Sequence, residues 1–82
     1  MSRSVFTEAY AAFRTILIDA RNKAGLRQVE VAQKIKRPQS FVSKYESGER
    51  RLDVIEFLEI AKVLGINAEK VVRELGKGLG GR

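Results

Sequence analysis

Cysteine and histidine are both absent from the 82 residues. Without cysteine there is no disulfide and no thiolate metal site. Without histidine there is no imidazole to bind a metal or serve as a catalytic base. No apolar run approaches the roughly 18 residues of a membrane span. The opening residues, Met-Ser-Arg-Ser-Val-Phe, lack the apolar stretch of a secretion signal. A cytoplasmic location is therefore expected. Proline occurs once, as Pro38, and there is neither an internal repeat nor a Pro/Ser-rich linker. No segment sustains the period-two alternation of a half-buried strand, so no sheet is expected.

What is present is enough for one domain with a modest core, since 44% of the residues are hydrophobic. The net charge is +6, and its position is informative. Between Arg21 and Arg51 stand nine basic residues against three acids, Glu30, Glu46 and Glu49, whereas the rest of the chain balances at seven and seven. A polyanion should meet the protein at this middle third.

Glycines punctuate the chain at Gly25, Gly48 and Gly65 and again in the tail. Because glycine favours the position just past a helix end, this spacing predicts five short helices. The first should run from about Thr7 to Ala24, capped by Thr7, with Phe6, Tyr10, Phe13, Leu17 and Ala20 as its apolar stripe. The second should span about Gln28 to Ile35. Lys36-Arg37-Pro38 makes a turn, because proline disfavours helical geometry in the residue before it. The third should run from about Gln39 to Ser47, with Val42 and Tyr45 inward. Phe41 is assigned inward as well, with contact to a thymine methyl as the alternative. The fourth begins at Asp53, where Asp53 and Glu56 resemble a capping box. Val54, Phe57, Ile60, Ala61 and Leu64 are expected to form its inner face. The fifth starts after Asn67 and ends near Leu75, with Val71 and Leu75 inward. The expected organisation is one domain over 1–75 and a flexible, Gly-rich basic tail over 76–82. Helices this short are marginal alone and must pack together, giving an all-α, compact five-helix fold.

Two short helices joined by a tight turn, the second polar on one face and set in a basic block, fit the requirements for entering a DNA major groove. On that face lie Gln39, Ser40, Ser43 and Lys44. Glutamine can bond adenine bidentately, lysine meets guanine acceptors or a phosphate, and serine serves either base.

From about Phe13 to Ile66 the chain resembles the lambda-repressor-like (Cro/repressor, XRE-type) helix-turn-helix family. The residues that carry the resemblance are Arg21, then Gly25-Leu26-Arg27-Gln28 and Glu30-Val31-Ala32. They continue with the run from Gln39 to Gly48 and with Ile60-Ala61-Lys62-Val63-Leu64-Gly65-Ile66. The resemblance implies base contacts from Gln39, Ser40, Ser43 and Lys44. It implies phosphate contacts from Gln28, and Lys36, Arg37, Arg50 and Arg51 flank the same groove. It also implies a partly buried ion pair between Arg21 and Glu46, and a small residue, Ala32, where helices two and three cross.

Two positions depart from the family pattern. Arg27 stands where a Thr or Ser normally caps helix two. Lys36 stands where the turn usually holds a left-handed glycine, so either Lys36 is strained or the turn is remodelled.

The expected function is that of a bacterial or phage transcriptional regulator that binds a palindromic double-stranded operator as a homodimer. Ile55, Leu58, Val63 and Val72 are left over from the helix stripes and are assigned to the dimer interface. The alternative cover for them is the N-terminal arm with Phe6 and Tyr10. Rival functions are an antitoxin that also holds a toxin protein, and a restriction–modification controller. An RNA-binding adaptor would want exposed aromatics for stacking, and that face offers only Phe41. No enzyme activity, metal or cofactor is expected, because no activated-nucleophile pair stands out.

Overall fold

The computed structural model describes residues 5–80, with side chains described from Thr7 to Leu79. Five helices follow in order: α1 Val5–Lys23, α2 Gln28–Ile35, α3 Gln39–Ser47, α4 Val54–Leu64 and α5 Ala68–Gly80. No strand occurs among the described residues.

The core gathers one stripe from each helix. Phe13 and Leu17 come from α1, Val31 and Ala32 from α2, and Phe41, Val42 and Tyr45 from α3. Phe57, Ile60, Ala61 and Leu64 come from α4 and Val71 from α5. Each valine, leucine, isoleucine and phenylalanine among them contributes about 1.5–3 kcal/mol through removal of apolar surface from water. Ala32 is buried where α2 packs on both α3 and α4. Phe13 meets Phe57 edge to face, with centroids 5.0 Å apart, tying α1 to α4. α5 packs along α1.

Local chemistry fixes the helix ends. Asp53 Oδ1 accepts from Glu56 N–H at 2.8 Å, and Glu56 Oε1 accepts from Asp53 N–H at 2.9 Å, completing the expected box. Asn67 Oδ1 caps α5 by accepting from Lys70 N–H at 3.0 Å. Arg27 gives α2 no side-chain cap, and Glu30 compensates by accepting from Arg27 N–H at 2.7 Å.

Three expectations are corrected. α1 begins at Val5, so Thr7 lies inside the helix rather than capping it. The Phe6 side chain and residues 81–82 lie outside the described residues. Second, α5 does not stop at Leu75 but continues to Gly80. Leu75 and Leu79, one helical turn apart, lie together with Ala9, Tyr10 and Phe13 of α1 around one shallow apolar depression. Packing on α1 thus outweighs the low helix propensity of Gly76 and Gly78. Third, Val54 is not part of the inner face of α4. It is 71% exposed, and in the first turn the inward position is taken by Glu56, which is buried.

Candidate nucleic-acid interface

The turn between α2 and α3 is built around Lys36. Its φ and ψ are 61° and 46°, left-handed, and it is the only non-glycine residue with positive φ among those described. The turn keeps the geometry that glycine normally serves, and Lys36 bears the strain. Its N–H bonds the Gln33 carbonyl at 3.2 Å, and Arg37 N–H bonds the Ala32 carbonyl at 3.0 Å, closing α2. Pro38, at φ −62°, then opens α3.

α3 buries Phe41, Val42, Tyr45 and Glu46 and exposes Gln39, Ser40, Ser43 and Lys44. The four base-reading candidates therefore share one solvent-facing side. Phe41 turns inward, as assigned. Tyr45 is 1% exposed, and its hydroxyl has no hydrogen-bond partner among the described residues. Burial pushes its pKa above the ordinary phenol value.

A polar chain holds the exposed side of α3 to the rest of the molecule. Arg21 of α1 donates from Nε to Glu46 Oε2 at 2.7 Å and from Nη2 to Oε1 at 3.2 Å. The expected ion pair is present and bidentate. The side chains of Arg21 and Glu46 are 15% and 6% exposed. Glu46 Oε1 also accepts from Gln28 Nε2 at 2.9 Å, and Gln28 Oε1 accepts from Gln39 Nε2 at 3.4 Å. Gln28, the phosphate candidate at the start of α2, is thus linked to a base-reading candidate on one side and to the ion pair on the other.

The far end of α3 is held by Arg14, which the sequence reading passed over. Its Nη1 donates to the Glu46 carbonyl at 2.8 Å. Gly48, at φ 87°, allows the chain to turn there; a Cβ at Gly48 would lie 3.1 Å from Arg14 Cζ. Glycine is favoured here by conformation, and a larger residue would also press on the Arg14 side chain.

The basic residues flanking α3 are less free than their charge implies. Arg50 donates from Nη1 to Glu56 Oε1 at 3.0 Å and from Nη2 to Oε2 at 2.8 Å. Arg37 donates from Nη1 to Glu56 Oε2 at 3.4 Å and reaches Glu59 Oε1 at 3.5 Å. Both guanidiniums lie against Phe41, with Cζ 4.7 Å (Arg37) and 4.8 Å (Arg50) from its ring centroid. The Arg50 hydrogen bonds, aided by the Asp53 N–H, lower the Glu56 pKa to about 2. Arg51 stacks on Tyr10 at 4.2 Å, and Tyr10 Oη accepts from Leu52 N–H at 3.0 Å. Lys36 and Lys44 are exposed. The capping motif drew attention to Glu56, but nothing in its spacing revealed two arginines converging on it, Arg50 from the loop just before α4 and Arg37 from the turn between α2 and α3.

Of the dimer candidates, Ile55, Leu58 and Val72 are 64%, 47% and 57% exposed. Val63 is half-buried against the core. Among the described residues no helix is long and apolar enough to cross a membrane.

Comparison with known proteins agrees with this geometry. A family model described as Helix-turn-helix matches residues 17–71. The solved structure of an XRE-family like protein from Pseudomonas syringae pv. tomato superposes with a TM-score of 0.83 at 42% identity, covering 87% of each chain. A replication factor C small subunit from Pyrococcus furiosus is 40% identical over 60 residues, 73% of this chain. The chain spans only 7% of that relative's length. The match over more than half the chain, and the near-full-length similarity to an XRE-family structure, place it: the chain belongs to the XRE-type helix-turn-helix family, whose fold is that of a DNA-binding regulator.

Proposed function

We propose that the chain is a sequence-specific, double-stranded DNA-binding transcriptional regulator of bacterial or phage type, working in the cytoplasm as a homodimer on a palindromic operator. The observation that carries this reading is the exposed polar side of α3, held through Gln28 to the buried Arg21–Glu46 pair. A helix held in this way can present Gln39, Ser40, Ser43 and Lys44 to base edges in the major groove.

Phosphate contacts fall to Gln28, Lys36 and Arg51, with Arg37 and Arg50 contributing from their stacked positions beside Phe41. The N-terminus of α2 adds favourable dipole at Gln28. The dimer forms through α4 and α5, where Ile55, Leu58 and Val72 are exposed, together with the exposed part of Val63. Large apolar side chains left exposed commonly mark an interface when a partner covers them.

The same apolar side chains support a second reading, in which the protein is an antitoxin and its partner is a toxin rather than a second copy. A restriction–modification controller would share the DNA-binding face and the dimer.

Selection of bound sequences from random duplex DNA tests the reading. The expected result is a roughly palindromic site with half-sites about one helical turn, some 34 Å, apart. Failure to enrich any sequence contradicts it.

A further inference from the structure

We infer that Glu56 is a positioning residue of the DNA-reading unit: through Arg37 and Arg50 it clamps both flanks of α3 to the first turn of α4 and so sets the aim of the exposed α3 face. This rests on the reading of α3 as the groove-entering helix.

The argument begins with how many donors Glu56 holds. A glutamate in a capping box needs one backbone donor. Glu30 shows the simpler case, taking Arg27 N–H at 2.7 Å and only a loose contact at 3.5 Å from the exposed side chain of the same arginine. Glu56 takes its own backbone donor from Asp53 at 2.9 Å and three further side-chain donors from two arginines, and it is buried. The two arginines enter from opposite ends of α3. Arg37 sits in the turn two residues before Gln39, and Arg50 sits in the loop three residues after Ser47. Each also lies against the ring of Phe41, in the first turn of α3. One carboxylate therefore gathers the segment before α3, the segment after it and, through the ring, α3 itself.

This clamp complements the Arg21–Glu46–Gln28 chain. That chain holds the C-terminal half of α3 and the start of α2 to α1. At the N-terminal half the chain adds only the long Gln39–Gln28 bond, at 3.4 Å, and the apolar contacts of Phe41 and Val42 are non-directional, which leaves room for small rotations of the helix. Hydrogen bonds to a charged carboxylate are directional and strong, so they select one orientation. A rotation of α3 would move Gln39 and Ser40 relative to base edges while leaving phosphate attraction largely intact. Glu56 also offsets part of the charge of the two guanidiniums it holds. Without its charge they would be free to meet phosphates on any sequence.

The test uses the full chain and three variants. Glu56→Gln keeps the size of the side chain and removes its charge. Asp53→Ala removes the other arm of the capping box and leaves both arginine contacts in place. Arg50→Lys keeps the flanking charge but loses the two-pronged bond, and it carries the test if Glu56→Gln does not fold. Dissociation constants are measured on the duplex selected by the wild type and on a random duplex of equal length, below each variant's Tm and with folding checked by circular dichroism. Glu56→Gln should lower the specific-to-random ratio by about tenfold or more, with random-duplex affinity unchanged or higher. Arg50→Lys should lower the ratio in the same direction without changing the salt slope. Asp53→Ala should lower Tm while leaving the ratio within about twofold.

Glu56→Gln that loses Tm but keeps the wild-type ratio overturns the proposal, as does an unchanged ratio in Arg50→Lys. An Asp53→Ala ratio that falls as far as that of Glu56→Gln also overturns it, because the helix cap would then be the cause. A wild type that prefers no duplex removes the reading of α3 and the proposal with it. A wild type that does discriminate, with variants that discriminate equally well, removes the proposal alone.

Discussion

Arg21 and Glu46, 25 residues apart in the sequence, meet in a bidentate pair whose shortest contact is 2.7 Å. All three Arg21 nitrogens donate, since Nη1 also bonds the Leu26 carbonyl at 2.9 Å. The pair joins the end of α1, the α1–α2 loop at Leu26 and the end of α3. Removing one partner strands the other charge in a mostly buried site. Arg21→Ala or Glu46→Ala should each lower unfolding free energy by about 3 kcal/mol, measured by urea denaturation. Losses below about 1 kcal/mol, the range of exposed pairs, would contradict the structural role.

Lys36 separates stability from binding. A left-handed residue with a Cβ is strained, and glycine there is not. Lys36→Gly should raise stability by about 0.5–1 kcal/mol, the strain relieved being partly offset by the greater freedom of glycine in the unfolded chain. It should at the same time weaken DNA binding and reduce the log–log salt slope by about one per subunit, as for loss of a phosphate contact. Thermal unfolding and salt titration check the two halves, and a fall in stability would contradict the strain argument.

Much of this architecture could be read from local signals. Gly25, Gly48, Gly65, Asp53 and Asn67 mark helix ends by chemistry that acts within a few residues. The bounds of α2 and α3 follow from Pro38 and the glycines alone. The Arg21–Glu46 pair came from family resemblance rather than spacing, because no local pattern tells that two residues 25 apart will meet. Glu56, Arg14 and the last turns of α5 went unread for the same reason. Arg14 and α5 meet partners far away in the sequence. For Glu56 the capping box is local, while Arg37 lies 19 residues away and Arg50 reaches it through a loop that follows no repeating pattern, so tertiary contact decides their roles. Val54 was misread because apolar periodicity does not report where a core ends. The basic block was legible as charge, but not the pairing that engages Arg37 and Arg50 with Glu56.

The pH dependence of stability should carry the mark of Glu56. Its folded pKa is lowered from the ordinary 4.5 to about 2, by the Arg50 hydrogen bonds first and the Asp53 N–H next. A carboxylate lowered in this way stabilises the fold fully above its unfolded value, and that contribution is lost as pH falls toward the folded one. The Tm advantage of wild type over Glu56→Gln should therefore be constant near neutrality and shrink between about pH 4.5 and pH 2. A difference that stays constant to the acid end contradicts the assignment.

The dimer proposal makes a simple demand. Ile55 and Leu58 are large, apolar and exposed on α4. In a monomer, replacing them by aspartate should leave the fold intact and change nothing else. In a dimer, the Ile55→Asp, Leu58→Asp double variant should sediment as a monomer at micromolar concentration where the wild type does not. It should also lose the advantage of a two-half-site duplex over a single half-site. Wild-type monomer with and without DNA would rule the dimer out, and co-purification with an unrelated small protein would favour the antitoxin reading.

The central claim is that α3 reads bases, and Gln39→Ala tests it most directly. Gln39 is exposed, and its one described contact, to Gln28 at 3.4 Å, is long. Truncation should therefore leave stability nearly unchanged. Affinity for the selected duplex should fall by about 1–3 kcal/mol, with relaxed preference at one base pair of each half-site and little change on random duplex. Equal losses on selected and random DNA would mean that α3 is not the reader, and the binding face would then move toward the basic turn at Lys36 and Arg37.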